Sequence, residues 1–378
     1  SIIVGKSTIF RLVAKIPHML LAYMSRAILC IYSYEDSGYQ YNQALRPKIM
    51  TEQLSGSKVL VTGGAGFIGS NLCERFLELG SSVVCLDNFI TGKIENIQHL
   101  IENKNFKLIE GDITNYDTCT EAVEGCDYVS HQAALGSIPR SIDNPLKTNE
   151  INVNGTLNIF VAAMNEGVKK VVYASSSSVY GSEESLPKNE AKTGAPLSPY
   201  AITKSVNEMY ASVFSNIHSF PVIGLRYFNV FGRRQDPEGV YAAVIPKFVE
   251  TLINHKPPTI HGDGEQSRDF TYIENVIQIN ILALLSKNKE SYGECFNVAC
   301  GTRMTINELF YQIRDLLANF DSDISNIEPT YTSERAGDIK HSIADISKGK
   351  KLLNYAPEFD CKVGLNEAIE WYWNNISS

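Results

Sequence analysis

The stretch from Val59 to Leu72 constrains the fold of this chain more than any other part of the sequence. It reads Val-Leu-Val-Thr-Gly-Gly-Ala-Gly-Phe-Ile-Gly-Ser-Asn-Leu. The apolar, β-branched run at its start is typical of a buried parallel strand. Gly63 permits a tight turn, Gly66 lets the backbone approach a diphosphate, and Gly69 lets the next helix pack against the strand. A diphosphate would then lie on the free N–H groups at the helix start, so the stretch predicts dinucleotide binding.

An acidic residue at the end of the second strand selects the dinucleotide. The strand over 82–86 ends at Asp87, 24 residues after Gly63. A carboxylate there accepts hydrogen bonds from the adenine ribose hydroxyls and repels a 2′-phosphate, so NAD is favoured over NADP. We expect the cofactor site to comprise the turn and residues at strand and helix ends, namely Gly63, Gly66, Phe67, Ile68, Gly69, Asp87, Asn88, Asp112, Ile113, Ala133, Ala134 and Asn152.

Strand and helix patterns alternate through the first part of the chain. We predict further strands over 106–110, 127–134 and 170–174, and helices over 71–79 and 152–166. This alternation predicts an α/β fold with a doubly wound Rossmann sheet over 57–225. More frequent glycines, prolines and longer loops over 226–376 indicate a smaller, interleaved C-terminal α/β region that binds substrate. His131, at a strand end, is expected to be a hydrogen-bonded structural residue.

Composition places the chain among ordinary globular proteins. It has 378 residues, of which 44% are hydrophobic and 20% charged. The net charge is −8; residues 1–50 carry +4, which leaves −12 on the rest and argues against a nucleic-acid partner. The eight cysteines show no Cys-x-x-Cys spacing, so we expect reduced, buried thiols in a cytoplasmic protein and no metal site.

Residues 1–50 do not follow the strand and helix pattern. The apolar stretch from Met19 to Ile31 is interrupted by Arg26 and is shorter than the roughly 20 residues that span a bilayer. We therefore expect no membrane span. We prefer to interpret residues 1–50 as an extension without a folded role, since Met50-Thr51-Glu52 resembles a natural start. The alternative is a targeting peptide or an interfacial helix.

Hydroxyl groups and a tyrosine–lysine pair follow the fifth strand. The strand runs into Ser175-Ser176-Ser177-Ser178, at the edge of the sheet where ligands bind. Tyr200 and Lys204 are four residues apart and so share one helix face. A phenol with a pKa near 10 is a poor base at neutral pH, but a neighbouring ammonium and the positive nicotinamide ring favour the phenolate. The pair therefore predicts general base chemistry at the cofactor.

These features together resemble the extended short-chain dehydrogenase/reductase superfamily. Three further motifs, Asp87-Asn88-Phe89, Tyr227 to Gly232 and Arg335 to Asp338, are similar to those of nucleotide-sugar 4-epimerases. Ala134 to Ser141 and Phe231 to Pro237 resemble bacterial UDP-N-acetylglucosamine 4-epimerases of surface-polysaccharide synthesis. The resemblance covers residues 57–376.

The resemblance implies a mechanism and a role for each residue. Tyr200 would take the proton of the sugar 4-hydroxyl while hydride passes from C4 to NAD, and the 4-keto sugar would rotate and receive the hydride on its other face. Lys204 would lower the pKa of the tyrosine and hold the nicotinamide ribose, and Ser176 would bind the 4-oxygen. The implied substrate-binding residues are Gly136, Ser137, Ser176, Ser177, Ser178, Asn229, Arg268, Arg335, Asp338 and Ser342. Arg268 and Arg335 would grip the two phosphates, although Arg268 could instead form a surface ion pair with Asp269 or Glu265.

Two positions refine the substrate. Related dehydratases and decarboxylases carry an acidic residue where this chain has Ser177 and Ser178. This chain therefore lacks the acidic group that elimination and decarboxylation use in those enzymes. Ser342 aligns with the position that gates the sugar pocket, and a small side chain there leaves room for a 2-acetamido group. The resemblance thus favours UDP-N-acetylglucosamine. The alternatives are a UDP-glucose or UDP-glucuronate 4-epimerase and a non-catalytic NAD-binding regulator.

The resemblance also implies a homodimer that forms through a helical interface. The helix over 201–214 could contribute to it.

Overall fold

Seven parallel strands form the central sheet of the protein; from one edge to the other they begin at residues 295, 222, 170, 128, 58, 82 and 106. The structure is a computed structural model that describes residues 53–237, 243–334 and 340–376. The sheet strands are β1 (Lys58–Thr62), β2 (Ser82–Asp87), β3 (Phe106–Glu110), β4 (Tyr128–His131), β5 (Lys170–Ser176), β6 (Val222–Tyr227) and β11 (Cys295–Val298). The predicted doubly wound α/β fold is confirmed.

Helices cover the sheet on the two faces. They are α1 (Phe67–Glu78), α2 (Tyr116–Val123), α3 (Ile138–Asp143), α4 (Pro145–Asn149), α5 (Thr156–Glu166), α6 (Pro199–His218), α7 (Val244–Ile253), α8 (Ile273–Leu285), α9 (Ile306–Leu317), α10 (Ser347–Leu353) and α11 (Cys361–Ile376). A π-helical turn spans Glu150–Gly155, and 3₁₀ turns span Ile94–Asn96, Gln98–Leu100, Ser177–Tyr180, Lys289–Ser291 and Ser322–Asn326. Helix α1 packs on α8, whereas α2 packs on α5 and α5 on α6.

The remaining strands are short pairs outside the central sheet. They are β7 (Val230–Phe231), β8 (Thr259–His261), β9 (Ser267–Arg268), β10 (Thr271–Tyr272), β12 (Met304–Thr305) and β13 (Thr330–Thr332). Strand β10 pairs with β7, β12 with β9 and β13 with β8. Because β7 begins three residues after the end of β6, the β7–β10 pair lies next to the carboxyl end of β6.

Aromatic packing fixes α6 against the sheet. The rings of Phe160 on α5 and Tyr173 on β5 meet edge to face at 5.4 Å, and those of Phe160 and Phe214 on α6 meet at 5.6 Å. Such pairs contribute beyond the area that they bury. This packing holds the C-terminal half of α6 against α5, whereas Lys204 Nζ, which donates to the Ala174 carbonyl at 2.8 Å, holds the beginning of α6 at β5.

Several predicted boundaries are wrong by a few residues. Helix α1 begins at Phe67 rather than at residue 71, because the turn leads directly into the helix after its N-cap Gly66. Strand β4 ends at His131, since the chain leaves the sheet at Gln132, and β5 continues through Ser176. The helix predicted over 152–166 opens with a π-helical turn before α5.

The expected boundary between the Rossmann sheet and the substrate-binding region, at residue 225, falls inside β6. Strand β11, from the later part of the chain, also belongs to the central sheet. From residue 54 onward the chain forms one compact unit. The proposed extension over 1–50 lies outside the described residues, as do Arg335 and Asp338. Within the described ranges, no helix combines the length and apolar character needed to cross a bilayer.

Candidate active site

A cavity of about 520 Å³ lies at the carboxyl ends of the sheet strands. It gathers side chains from the glycine turn, the ends of β2, β4 and β5, and the first turns of α6. Its lining includes most of the predicted site, namely Gly63, Gly66, Phe67, Ile68, Gly69, Asp87, Asn88, Ile113, Ala133, Ala134, Gly136, Ser176, Ser177, Tyr200, Lys204 and Asn229. Residues that are far apart in the sequence thus meet in one cleft of a size suited to a cofactor.

The glycine turn has the geometry that a dinucleotide requires. Gly63 adopts φ of +65°, and a Cβ added to it would lie 2.8 Å from the backbone of Ala133. A Cβ on Gly69 would overlap the Gly63 carbonyl oxygen. The first turn of α1 lines the cavity, and the N–H groups of a first helical turn have no partner within the helix. The turn therefore fits a diphosphate.

Asp87 lies at the end of β2 and lines the cavity. Its Oδ2 accepts from the Ala65 N–H at 2.9 Å, and its Oδ1 accepts from the Phe89 N–H at 2.9 Å. A Cβ on Gly92 would approach the two carboxylate oxygens to 2.8 and 2.9 Å, so a side chain at position 92 would displace the carboxylate. Burial raises the pKa of Asp87, and the backbone donors oppose that shift. Each oxygen has a further acceptor site for a ribose hydroxyl.

Asp112 supports the cavity from beside Asn88 and is itself absent from the lining. The Asn88 amide donates to Asp112 Oδ2 at 2.9 Å. Burial would raise the pKa of Asp112, but donors from Thr114 and Asn88 outweigh it and lower the pKa. The carboxylate stays ionised and fixes the Asn88 side chain.

The predicted catalytic residues meet at the end of β5. Ser176 ends the strand, and its Oγ accepts from the Ser178 N–H at 3.2 Å. Tyr200 and Lys204 lie in the first turns of α6, where Ser198 caps the helix and Pro199 starts it. The Lys204 Nζ donates to the Ala174 carbonyl at 2.8 Å and lies 5.9 Å from the Tyr200 ring centroid. The three side chains can therefore act on one reacting oxygen.

Burial shifts both titrating groups of the pair. It raises the pKa of Tyr200, and a hydrogen bond with Ser176 opposes the rise. Burial lowers the pKa of Lys204 to about 8, and the Glu208 charge opposes the fall. Since burial disfavours the charged form of each residue, the phenolate depends on positive charge held close to it.

Two buried residues near the cavity are structural. His131 bonds through Nδ1 to Thr62 Oγ1 at 2.6 Å and through Nε2 to Thr156 Oγ1 at 2.9 Å. Burial lowers the pKa of His131 to about 3, so the ring is neutral, and the predicted structural role is confirmed. Asn152 is fully buried, and its amide bonds to the backbone of Leu135, which lines the cavity. The predicted cofactor ligand Asn152 thus acts in this structure by holding Leu135.

A second cavity of about 450 Å³ adjoins the first. Asn229, Val230 and Ala243 line both cavities. The walls of the second are largely apolar, with Phe248 and Phe270 among them, and Arg268 contributes a charge. Arg268 Nη1 donates to the carbonyls of Ser267 and Lys340, at 3.0 and 3.3 Å. A ligand that spans the two cavities would pass Asn229 and meet Arg268.

The segment that carries Ser342 is held beside Arg268. The Ser342 N–H donates to the Ser267 carbonyl at 3.0 Å. Asp269 fixes the same segment, because its Oδ2 accepts from the N–H groups of Gly301 and Ala344, at 3.0 and 3.2 Å. Ser342 is half-buried and is not among the residues that line either cavity.

Three further predicted substrate residues have different environments. Ser137 caps α3 through its Oγ, which accepts from the Arg140 N–H at 3.2 Å. The buried Ser178 Oγ has no hydrogen-bond partner among the described residues, and Ser178 is not among the residues that line either cavity. A Cβ added to Gly136 would meet no heavy atom within 4 Å, which leaves space at this edge of the cavity.

Sequence reasoning missed a polar network beneath the cavity. The Tyr227 hydroxyl donates to Gln132 Oε1 at 3.0 Å and accepts from the Asn280 amide at 2.9 Å. Gln132 and Tyr227 line the cavity. Their positions directly after β4 and at the end of β6 are the signal that could have identified them, since strand ends face ligands in this fold.

This fold and site define an NAD-dependent enzyme with a tyrosine–lysine centre. The chain belongs to the NAD dependent epimerase/dehydratase family, whose model matches residues 59–299. The UDP-glucose 4-epimerase of Mycolicibacterium smegmatis is 33% identical over 319 residues, which are 84% of this chain and 99% of that protein.

Two solved structures are similar to this chain. One is the UDP-N-acetylglucosamine 4-epimerase from Methanobrevibacter ruminantium in complex with UDP-N-acetylmuramic acid, with 40% identity, TM-score 0.79, and coverage of 85% of this chain and 99% of that one. The other is the UDP-glucuronic acid 4-epimerase from Bacillus cereus in complex with UDP-glucuronic acid and NAD, with 33% identity, TM-score 0.74, and coverage of 84% and 98%.

Proposed function

We propose that this NAD-dependent nucleotide-sugar 4-epimerase interconverts UDP-N-acetylglucosamine and UDP-N-acetylgalactosamine. The proposal is carried by the small side chain at position 342, which the family resemblance assigns to the gate of the sugar pocket; in this structure Ser342 pairs with Ser267 and lines neither cavity. Open space at Gly136 supports the same substrate width. UDP-glucose and UDP-glucuronate are acted on by similar enzymes, so they are the alternative substrates.

The two adjoining cavities suggest how the substrate lies. Its sugar would occupy the first cavity near Ser176 and Tyr200, its diphosphate would pass Asn229, and its uridine would lie between the apolar walls of the second cavity. Arg268 would bind phosphate oxygens, for which a planar guanidinium is suited. Arg335 and Asp338 are proposed to contact phosphate and uridine ribose, as the family resemblance implies.

The residues of the chain divide the chemistry among them. NAD, when bound by the glycine turn and Asp87, supplies the acceptor for the hydride at sugar C4 and its return. Tyr200 takes the proton of the 4-hydroxyl and later gives it back, and Ser176 holds the same oxygen. Lys204 keeps positive charge at the phenol, which offsets the effect of burial on the phenol. Ser178 and Ser177 lie beside this centre without an acidic group, so epimerisation is not diverted to elimination.

The test is a substrate panel on the purified protein without added cofactor. UDP-N-acetylglucosamine, UDP-glucose and UDP-glucuronate are incubated separately and the products separated by chromatography. We expect the 4-epimer chiefly from the acetylated sugar, with activity that needs no added NAD. Conversion of only the unacetylated sugars would overturn the proposed substrate but leave the epimerase mechanism. No conversion of any of them would favour the non-catalytic alternative.

A further inference from the structure

Helix α6 carries a third polar side chain on the face that presents the tyrosine–lysine pair. Tyr200, Lys204 and Glu208 follow one another at intervals of four residues. Residues at this spacing lie one above the other on a helix, so all three face the end of β5. Glu208 is not part of the chemistry described above, yet its side chain is only 14% exposed.

Glu208 is held in a buried network of charge-assisted hydrogen bonds. Its Oε1 accepts from the Ser175 hydroxyl at 2.6 Å and from Arg226 Nε at 2.9 Å. Its Oε2 accepts from Arg226 Nη2 at 2.8 Å, so the ion pair is bidentate. Arg226 is 6% exposed at its side chain and stacks over the Tyr180 ring at 4.9 Å. Both carboxylate oxygens are therefore fixed in position.

The contacts of Glu208 and Lys204 grip two successive residues of β5. Glu208 binds the Ser175 side chain, and Lys204 Nζ donates to the carbonyl of Ala174. The next residue along the strand is Ser176. Two side chains from one helix thus fix the strand end at the point where it delivers Ser176 to the Tyr200 phenol.

The charges around Lys204 come from three elements. Helix α6 contributes Glu208 and the Tyr200 phenol, and β4 contributes His131, which burial keeps neutral. Strand β6 contributes Arg226, whose guanidinium is paired with Glu208. Burial lowers the pKa of Lys204 to about 8, and the Glu208 carboxylate is the group that opposes this.

We propose that Glu208 is a positioning residue of the reaction, which anchors Ser175 so that Ser176 meets Tyr200 and which places a carboxylate one helical turn from Lys204. One readout of this proposal, the dependence of kcat on pH, rests on the proposed epimerase function. A second readout, the titration of Lys204, does not depend on any substrate.

The principal test is Glu208→Gln, with Glu274→Gln as the matched control. Glu274 is another carboxylate in an ion pair, 2.8 Å from Arg75, and is 20% exposed. Lys204 is titrated by NMR on the NAD-bound protein with isotope-labelled lysine, and its signal is assigned from Lys204→Arg. In Glu208→Gln we expect the Lys204 midpoint and the alkaline limb of the kcat profile to move down by about one pH unit, because an opposing charge is removed. Glu274→Gln is expected to move neither.

Two further variants keep the test decisive if Glu208→Gln fails to fold. Glu208→Asp keeps a carboxylate opposite Arg226 and is expected to return the alkaline limb toward that of the unmodified protein. Ser175→Ala removes only the hydrogen bond between residue 175 and Glu208. We expect it to lower kcat about 10-fold, while KM and the alkaline limb of the kcat profile stay unchanged. The proposal would be overturned by a Lys204 midpoint that is the same with and without the Glu208 charge, or by full kcat in Ser175→Ala. Failure of the proposed substrate would instead leave the Lys204 titration intact.

Discussion

At the residue scale, Tyr200 is the group on which the proposed chemistry depends. Tyr200→Phe keeps the aromatic ring and removes only the hydroxyl, so NAD content and thermal unfolding are expected to stay near normal. Turnover is expected to fall by about 10²- to 10⁴-fold, because the general base is lost. The measurement is kcat on UDP-N-acetylglucosamine beside the bound NAD per chain. Undiminished turnover would contradict the assignment.

Also at the residue scale, the volume at position 342 tests substrate width. We expect Ser342→Tyr to abolish activity on UDP-N-acetylglucosamine while UDP-glucose conversion persists, since a large side chain would exclude the 2-acetamido group. Ser342→Ala, which removes only a hydroxyl, is the control and should convert both sugars. The ratio of kcat/KM for the two sugars is the measurement. An equal loss on both in Ser342→Tyr would count against a gate.

At the scale of an element, the contact between α1 and the glycine turn can be tested separately from catalysis. A Cβ on Gly69 would overlap the Gly63 carbonyl oxygen, so Gly69→Ala must displace the helix from the turn. We expect the purified variant to contain little NAD and to unfold at a lower temperature. Gly349→Ala is the control, because its Cβ would lie 3.5 Å from Tyr355, an ordinary contact in a helix. It is expected to be neutral or stabilising by up to about 1 kcal/mol. A full complement of NAD in Gly69→Ala would refute the role of this contact.

At the scale of the whole molecule, exposed apolar side chains on α3, α4 and α6 suggest a surface that a second copy covers. Helix α6 packs beside α3 and α4, and the exposed fractions of Ile142, Leu146, Met209 and Ile217 are 61%, 84%, 66% and 71%. Apolar groups gathered on neighbouring helices are typical of protein interfaces. We therefore expect a homodimer through this face.

Two substitutions test the dimer. Met209→Lys combined with Ile217→Glu is expected to yield a folded monomer, because charge replaces the apolar contact of two exposed side chains. Ile101→Glu changes an apolar residue that is 40% exposed elsewhere and serves as the control. Sedimentation velocity at micromolar concentration distinguishes the two states. A monomeric unmodified protein, or a double variant that still dimerises, would contradict the prediction.

The sequence by itself determined the parts of this protein that depend on short spacings. Glycine spacing, strand composition and the acidic residue at the end of β2 identified the NAD-binding unit, because each acts through backbone geometry within one βαβ unit. The interval between Tyr200 and Lys204 placed both on one helix face for the same reason. The family resemblance then supplied roles for residues such as Arg268 and Ser342, which spacing alone could not assign.

Only the tertiary structure decided how distant segments meet. The Ser342 segment pairs with Ser267, and Glu208 joins Ser175 to Arg226, although these partners are 75, 33 and 18 residues apart in the chain. Asn152 illustrates the same limit, since its position suggested a ligand and its burial makes it a support for Leu135. Local patterns specify elements and turns. Which side chains are buried together depends on how those elements pack, because burial and long-range hydrogen bonds are properties of the assembled fold.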